Sequence, residues 1–314
     1  MTRRVEPGRR VAVRVPASSA NLGPGFDSLG LALDLVDEVE VTVLQDGCEI
    51  VVEGEGADSV PRDRTHLVVA TLLDALTGWD VELPGLRLSA RNVIPHGRGL
   101  GSSSAALVAG LLAAWGLAHP DVPVDRDWLL QRSNALEGHA DNVAAAICGG
   151  LVLTWSDAPG GRASVCRGRL VEGLRTLALV PRSVVLTEHA RRVLPTEVAH
   201  RDAAANTGRA ALLVHALACD PDLLLPATRD WLHQDARAGL MPEADRLRRA
   251  LREAGFAAVV SGAGPTVLVL AGEQHHEPLR QWLAGAAGRE LTGGFAALPL
   301  AVGGGAVLEV DPVG

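Results

Sequence analysis

The groups in this chain that could do chemistry are concentrated in a few short stretches. Pro95 to Ala106 reads PHGRGLGSSSAA and runs straight into an apolar segment. Gly97, Gly99 and Gly101 permit positive φ and let the backbone come close to a ligand. Ser102, Ser103 and Ser104 place hydroxyls where helix N-cap residues sit. Such a turn offers free N–H groups and the positive end of a helix dipole, which together bind anions. A second concentration is Glu137-Gly138-His139-Ala140-Asp141-Asn142, four polar side chains within six residues. On local grounds alone Asp141 is an acidic helix start and His139 a structural hydrogen-bonding residue. Asn21 and Asp27 lie in a third stretch, the small-residue loop Ala17 to Leu33, where a turn residue and a cap are the local readings.

These groups must be held by the elements around them. Val11, Val13 and Val15 alternate on one face of a strand that delivers the Asn21 loop. Val39 to Gln45 and Glu49 to Glu53 alternate again across Asp46-Gly47, which predicts a hairpin. Arg64 to Leu76 fits a helix stopped by Gly78, and Leu86 to Ala90 a strand leading into the glycine-serine loop. Beyond that loop, Leu107, Leu111, Leu112 and Trp115 form one helical stripe. Gly149-Gly150 start a strand over Leu151 to Trp155, and SDAPGGRASVCRGR reads as an interdomain connection. The expected division is therefore 1–158 and 159–314.

In the second half LRTLALVPR reads as a strand, Arg209 to Ala218 as a helix that puts His215 in the core or an interface, and Phe256 to Gly272 as strand, glycine turn, strand. A last amphipathic helix and strands near Ala296 to Val302 and Ala306 to Val310 complete a strand–helix–strand–strand–helix–strand order, a ferredoxin-like pattern. The class is α+β rather than a series of regular βαβ units.

Composition removes several functions. With 314 residues, two domains and a sizeable core are expected. All 29 basic residues are arginine, so no lysine exists for a Walker A loop, a protein-kinase site or a Schiff base. A net charge of −8 and 3% aromatic residues argue against a nucleic-acid surface. The four widely spaced cysteines read as free thiols of a reducing compartment. MTRRVEPGRR has no apolar region behind it and no apolar run approaches membrane-spanning length, so a cytoplasmic protein without membrane attachment is expected.

The loop Pro95–Ala105 fits P-x-x-x-G-L-G-S-S-[SA]-A and resembles the phosphate-binding motif of the GHMP kinases. S-A-N-L-G-x-G-F-D around Asn21 and Asp27, and E-G-H-x-D-N-V-A from Glu137, resemble the signatures of the homoserine kinases within that superfamily. T-x-x-A-R-x-x-L-P from Thr187, H-Q-x-x-R up to Arg237, and S-G-A-G-P-T resemble three further segments of the same family. The resemblance implies a two-domain GHMP kinase fold, a ribosomal-protein-S5-domain-2-like N-terminal domain and a ferredoxin-like C-terminal one.

The resemblance also implies transfer of a phosphoryl group from ATP, with Mg²⁺, to the side-chain hydroxyl of L-homoserine, by a homodimer. ATP would be held by Pro95, His96, Gly97, Arg98, Gly99, Leu100, Gly101, Ser102, Ser103, Ser104 and Ala105, with Gly262 and Gly264 from the second half. The family has an asparagine near the adenine where this chain has His66. Ser103 and Glu137 would complete the Mg²⁺ shell. Asn21, Asp27, His139, Thr187, Arg191 and Arg237 would hold the substrate, the two arginines as a carboxylate clamp. Asp27, Asp141 and Asn142 would stand at the reacting hydroxyl, and whether Asp27 or Asp141 serves as a base stays open. Other small-alcohol kinases of the superfamily, or a nucleotide-binding protein without turnover, are the alternatives.

Overall fold

The computed structural model describes residues 3–158 and 160–311. Pro159, at the expected domain boundary, and Met1 and Thr2 of the basic N-terminal stretch lie outside the described residues. The first part of the chain forms β1 (Arg3–Arg4), β2 (Arg10–Ala20), β3 (Leu29–Leu44), β4 (Cys48–Gly54), α1 (Leu67–Gly78), β5 (Val81–Glu82), β6 (Gly85–Asn92), α2 (Ser102–Ala118), α3 (Arg126–Glu137), α4 (Asp141–Cys148), β7 (Leu151–Trp155) and β8 (Ser164–Arg167). The second forms β9 (Arg175–Pro181), α5 (Thr187–Arg192), α6 (His200–Ala218), α7 (Leu224–Ala227), α8 (Gln234–Arg237), α9 (Pro242–Glu253), β10 (Ala257–Val260), β11 (Val267–Ala271), α10 (Glu273–Ala284), α11 (Ala286–Thr292), β12 (Phe295–Leu300) and β13 (Val307–Val310).

One sheet has the order β13-β2-β3-β6-β4, with β7 paired to the start of β3 and β8 to β7. Val11, Val13 and Val15 are buried, as their alternation requires. The hairpin predicted at Asp46-Gly47 does not form. β6 lies between β3 and β4 and runs parallel to β4, so the two strands flanking that turn never pair. Gly47 does take positive φ, but its carbonyl accepts from Leu86 N–H at the start of β6. The turn chemistry is local, and the partner is chosen by packing further along the chain.

Helix α2 lies on β2 and is buried on every side rather than along one stripe; nearly all residues from Ser104 to Ala118 are inaccessible. Surrounded by α1, α3, α4 and the sheet, it has no solvent face to make polar.

The other sheet has the order β10-β11-β9-β12 and is antiparallel throughout, the strand order of a ferredoxin-like unit. Its alternation divides two packing layers. Ala258, Val260, Val267 and Val269 face α9 and α10, while Ala257, Val259, Leu268 and Leu270 join the core of the first sheet together with Leu213, Leu217 and Leu224. Two segments expected in the second unit add to the first sheet instead: β8, within the stretch read as a connection, pairs with β7, and β13 returns to pair with β2. His215, expected in the core or an interface, is exposed on α6 and so lies outside the core of this chain.

Candidate active site

The glycine-serine loop enters α2 through three left-handed residues, Gly97, Gly99 and Gly101, with φ of +65°, +76° and +72°. Gly101 is the N-cap, and no side chain caps the helix. Ser102, Ser103 and Ser104 are inside the first turn rather than before it, so its N–H groups remain available to an anion. The serine hydroxyls turn sideways: Ser104 Oγ donates to Glu137 Oε1 at 2.9 Å and Ser103 Oγ to Glu137 Oε2 at 3.3 Å.

Two glycines in the loop are dictated by space. A Cβ on Gly99 would lie 2.2 Å from Ser261 O, and one on Gly101 2.1 Å from Ser18 Oγ. The S-G-A-G-P-T loop of the second half closes on this segment. Ser261 O–H donates to Gly99 O at 2.6 Å, and Thr266 N–H to Arg98 O at 3.2 Å.

Glu137 ends α3, where Gly138 at φ +87° turns the chain toward α4. Asp141, at the start of α4, is 1% exposed. Its Oδ1 accepts from Asn142 N–H at 2.7 Å and lies 2.9 Å from His139 Nδ1. Burial opposes a charge on His139, but the hydrogen bond and the negative charge of Asp141 outweigh it and hold the imidazole pKa above its ordinary value. Ser18 Oγ donates to Asn142 Oδ1 at 2.9 Å, fixing that amide from β2.

Asn21, Leu22 and Asp27 all adopt positive φ, an uncommon backbone for these residue types. The Asn21 amide is used at both ends: Nδ2 donates to Gly262 O at 3.0 Å, and Oδ1 accepts from Asp27 N–H at 3.0 Å. It therefore shapes the loop that presents Asp27. The Asp27 carboxylate receives Arg191 bidentately, at 2.8 and 3.1 Å, with both side chains 38% exposed. Burial opposes the Arg191 charge, and the bond to Asp27 more than offsets it.

Arg237 is buried. Its Nε donates to Ala190 O and its Nη1 to Gly262 O, at 3.0 and 3.2 Å. His233 Nε2 is 2.8 Å from Gly23 O, which makes it the protonated nitrogen and leaves Nδ1 to accept from Arg237 Nη1 at 3.1 Å. Burial lowers the pKa of both His233 and Arg237, and the nearby Arg191 lowers that of Arg237 further. The Phe26 ring centroid is 5.8 Å from Arg191 Cζ and 5.5 Å from Arg237 Cζ, and the ring stacks on His233.

These groups share one cavity of about 220 Å³. Asn21, Asp27, Gly97, Gly99, Gly101, Ser102, Ser103, Ser104, Glu137, His139, Asp141, Asn142, Thr187, Arg191, Arg237 and Gly262 all line it. A second cavity of about 240 Å³ shares Ser102 and Ser103 and is walled by His66, His96, Ala105 and the apolar Val39, Val60, Pro61 and Val68. Pro95, Arg98, Leu100 and Gly264 line neither. Leu100 is fully buried, Arg98 turns away to His96 O and Arg182 O, and Gly264 packs against Met241.

Sequence reasoning gave no role to Ser18, Ser261 or His233, although Ser261 and His233 open two of the motifs singled out. Each acts on a partner more than 120 residues away, and no local spacing announces such a contact.

The glycine loop at the open N-terminus of a buried helix and the paired sheets define the two-domain GHMP kinase fold. Residues 65–150 match the GHMP kinases N-terminal domain and residues 213–282 the GHMP kinases C-terminal domain. The chain is 52% identical to the homoserine kinase of Clavibacter michiganensis over 84% of this chain and 83% of that one. It is 51% identical to the homoserine kinase of Streptomyces avermitilis over 84% and 86%. The crystal structure of homoserine kinase from Cytophaga hutchinsonii superposes with a TM-score of 0.81 at 28% identity, covering 96% of this chain and 97% of that one. Mevalonate diphosphate decarboxylase from Enterococcus faecalis, at 15% identity and a TM-score of 0.66 over 96% and 99%, shares the fold alone. The chain belongs to the homoserine kinase family.

Proposed function

We propose that this phosphotransferase moves the γ-phosphoryl group of ATP onto the side-chain hydroxyl of L-homoserine, giving O-phospho-L-homoserine for threonine biosynthesis. The observation that carries the reading is one cavity lined together by an uncapped helix N-terminus, two arginines, Asp141 and Asn142.

The N–H groups from Gly99 to Ser104 receive the β- and γ-phosphates, and the apolar second cavity receives the base. The substrate carboxylate goes to Arg191 and Arg237, its ammonium to Asp27, and its hydroxyl to Asn142, which Ser18 orients. His139 and Thr187 complete that end of the cavity. His139 shares its proton with Asp141, which ties the histidine to the carboxylate nearest Asn142. A loose transition state asks little of a protein base, so the hydroxyl proton need not pass to Asp141 or Asp27.

The chemistry of the donors fits Mg²⁺. No cluster of three or more His, Cys, Asp or Glu suited to a metal occurs among the described residues. Ser103 Oγ and Glu137, by contrast, form a hard oxygen pair beside the phosphate loop, and Mg²⁺ takes few protein ligands when phosphates and water supply the rest. Bound there, the ion would neutralise charge developing between the β- and γ-phosphates. Among the described residues no helix is long and apolar enough to cross a membrane. A cytoplasmic homodimer is what the family resemblance implies.

ADP release with Mg²⁺-ATP, measured across L-homoserine, D-homoserine, L-threonine, L-serine and mevalonate, tests the reading. L-homoserine should lead by a wide margin. Turnover of another alcohol would discard the clamp assignment, and ATP binding without product would make the protein a nucleotide-binding module.

A further inference from the structure

Asp37, near the middle of β3, is 8% exposed and stands on the wall of the second cavity. Its contacts are lopsided. Val93 N–H and Ile94 N–H, at 2.6 and 2.9 Å, both donate to Oδ1. Among the described residues no protein group donates to Oδ2, and no arginine pairs with the carboxylate. Burial pushes its pKa up to about 6, so at pH 8 it is an ionised, acceptor-only group with one oxygen free of protein donors among the described residues. Asp37 lines the cavity, so the oxygen without a protein donor is open to a donor from a bound ligand.

The surroundings indicate which donor. Ser102 and Ser103 mark the phosphate end of the cavity, whereas Val39, Val60, Pro61 and Val68 give the apolar walls that a flat base needs. On the same wall His66 is 5% exposed, and its Nδ1 also lacks a protein partner. Burial, then the nearby Arg62, lowers its pKa and keeps the ring neutral at pH 8. An adenine base carries an N–H donor at position 6; hypoxanthine and guanine carry an oxygen acceptor there.

We propose that Asp37 reads the 6-amino group of the adenine base through the carboxylate oxygen its backbone contacts leave free, and so selects ATP over 6-oxopurine nucleotides. The inference rests on the reading of the second cavity as the base site of an ATP-dependent kinase.

The test compares kcat/KM for ATP, ITP and 2′-deoxy-ATP at saturating L-homoserine and pH 8, in the wild type and in Asp37→Asn. The amide keeps an acceptor for Val93 and Ile94 but turns the free oxygen into a donor. The wild type should prefer ATP to ITP by at least about tenfold, and the variant should shrink that preference by roughly tenfold to a hundredfold. A merely structural role would lower both rates and leave their ratio unchanged, which would overturn the proposal. Equal use of ATP and ITP by the wild type would overturn it without any variant. A variant that altered the ATP to 2′-deoxy-ATP ratio instead would move Asp37 to the ribose, equally against it. If L-homoserine is not phosphorylated with any nucleotide, the reaction assigned above fails, and calorimetric binding of ATP against ITP to the same two proteins decides the role of Asp37 separately.

Discussion

Asp27 and Arg191 meet in the geometry that an α-amino acid would exploit. A zwitterion offers a carboxylate for the arginine and an ammonium for the aspartate, so it replaces one ion pair with two. Arg191 is the cleaner of the two arginines to remove, because Arg237 also holds Ala190 O, Gly262 O and His233. Arg191→Ala is expected to cost roughly 2–5 kcal/mol of homoserine binding if the pair is desolvated in the complex. That raises the homoserine KM by about 30-fold to several-thousand-fold, while the KM for ATP stays within about threefold. Steady-state kinetics with each substrate varied in turn checks both halves.

His139 gives a pH signature. Its folded pKa lies above the unfolded value of about 6.5, so the stability it adds is fully present below that pH and is lost as pH rises through the folded value. The destabilisation caused by His139→Gln, read from urea unfolding, should therefore be larger at pH 5.5 than at pH 8.5. A difference independent of pH would mean that the contact with Asp141 does not depend on the histidine charge.

At the scale of elements, the loop before α2 leaves its N–H groups unoccupied among the described residues, while the second half of the chain closes on its backbone. Gly99→Ala would force a methyl group toward Ser261 O and displace the loop proposed to hold the phosphates. A loss on the order of a hundredfold in kcat/KM for ATP is expected, since misplacement by about 1 Å costs that much. Gly173→Ala, at another left-handed glycine where a Cβ would have no contact under 3.6 Å, is the control that should leave kcat/KM nearly unchanged.

The loop and the Asn21 and Glu137 stretches were legible because each packs its groups into a few consecutive residues, whereas the two arginine segments stood out only through the family resemblance. Strand pairing was less so. Asp46-Gly47 turns the chain as its residues require, yet β6 intervenes, because the partner of β4 depends on burial across the whole sheet. The 17 residues of α2 read as amphipathic only while their neighbours were unknown. The engagement of both ends of the Asn21 amide was likewise invisible, since one of its partners is Gly262.

The molecule as a whole ties its two sheets together. The chain leaves the first sheet after β8, builds the second, and returns as β13 to pair with β2. One continuous core holds Val11 and Leu88 of the first sheet together with Val259 and Leu268 of the second. The catalytic cavity lies along this seam, with Gly99 from one side and Gly262 from the other. Separate unfolding of the halves would expose that shared core, so calorimetry and urea unfolding monitored by tryptophan fluorescence and by circular dichroism should give one coincident transition. Two resolved transitions would show that the halves are energetically independent.

The assignment rests finally on where the phosphoryl group goes. Phosphorus NMR of the enzyme with Mg²⁺-ATP and L-homoserine follows it directly. The γ-phosphate resonance should be replaced by a phosphomonoester that matches O-phospho-L-homoserine, in step with ADP. Appearance of inorganic phosphate alone, or an unchanged ATP spectrum, would contradict the proposed reaction.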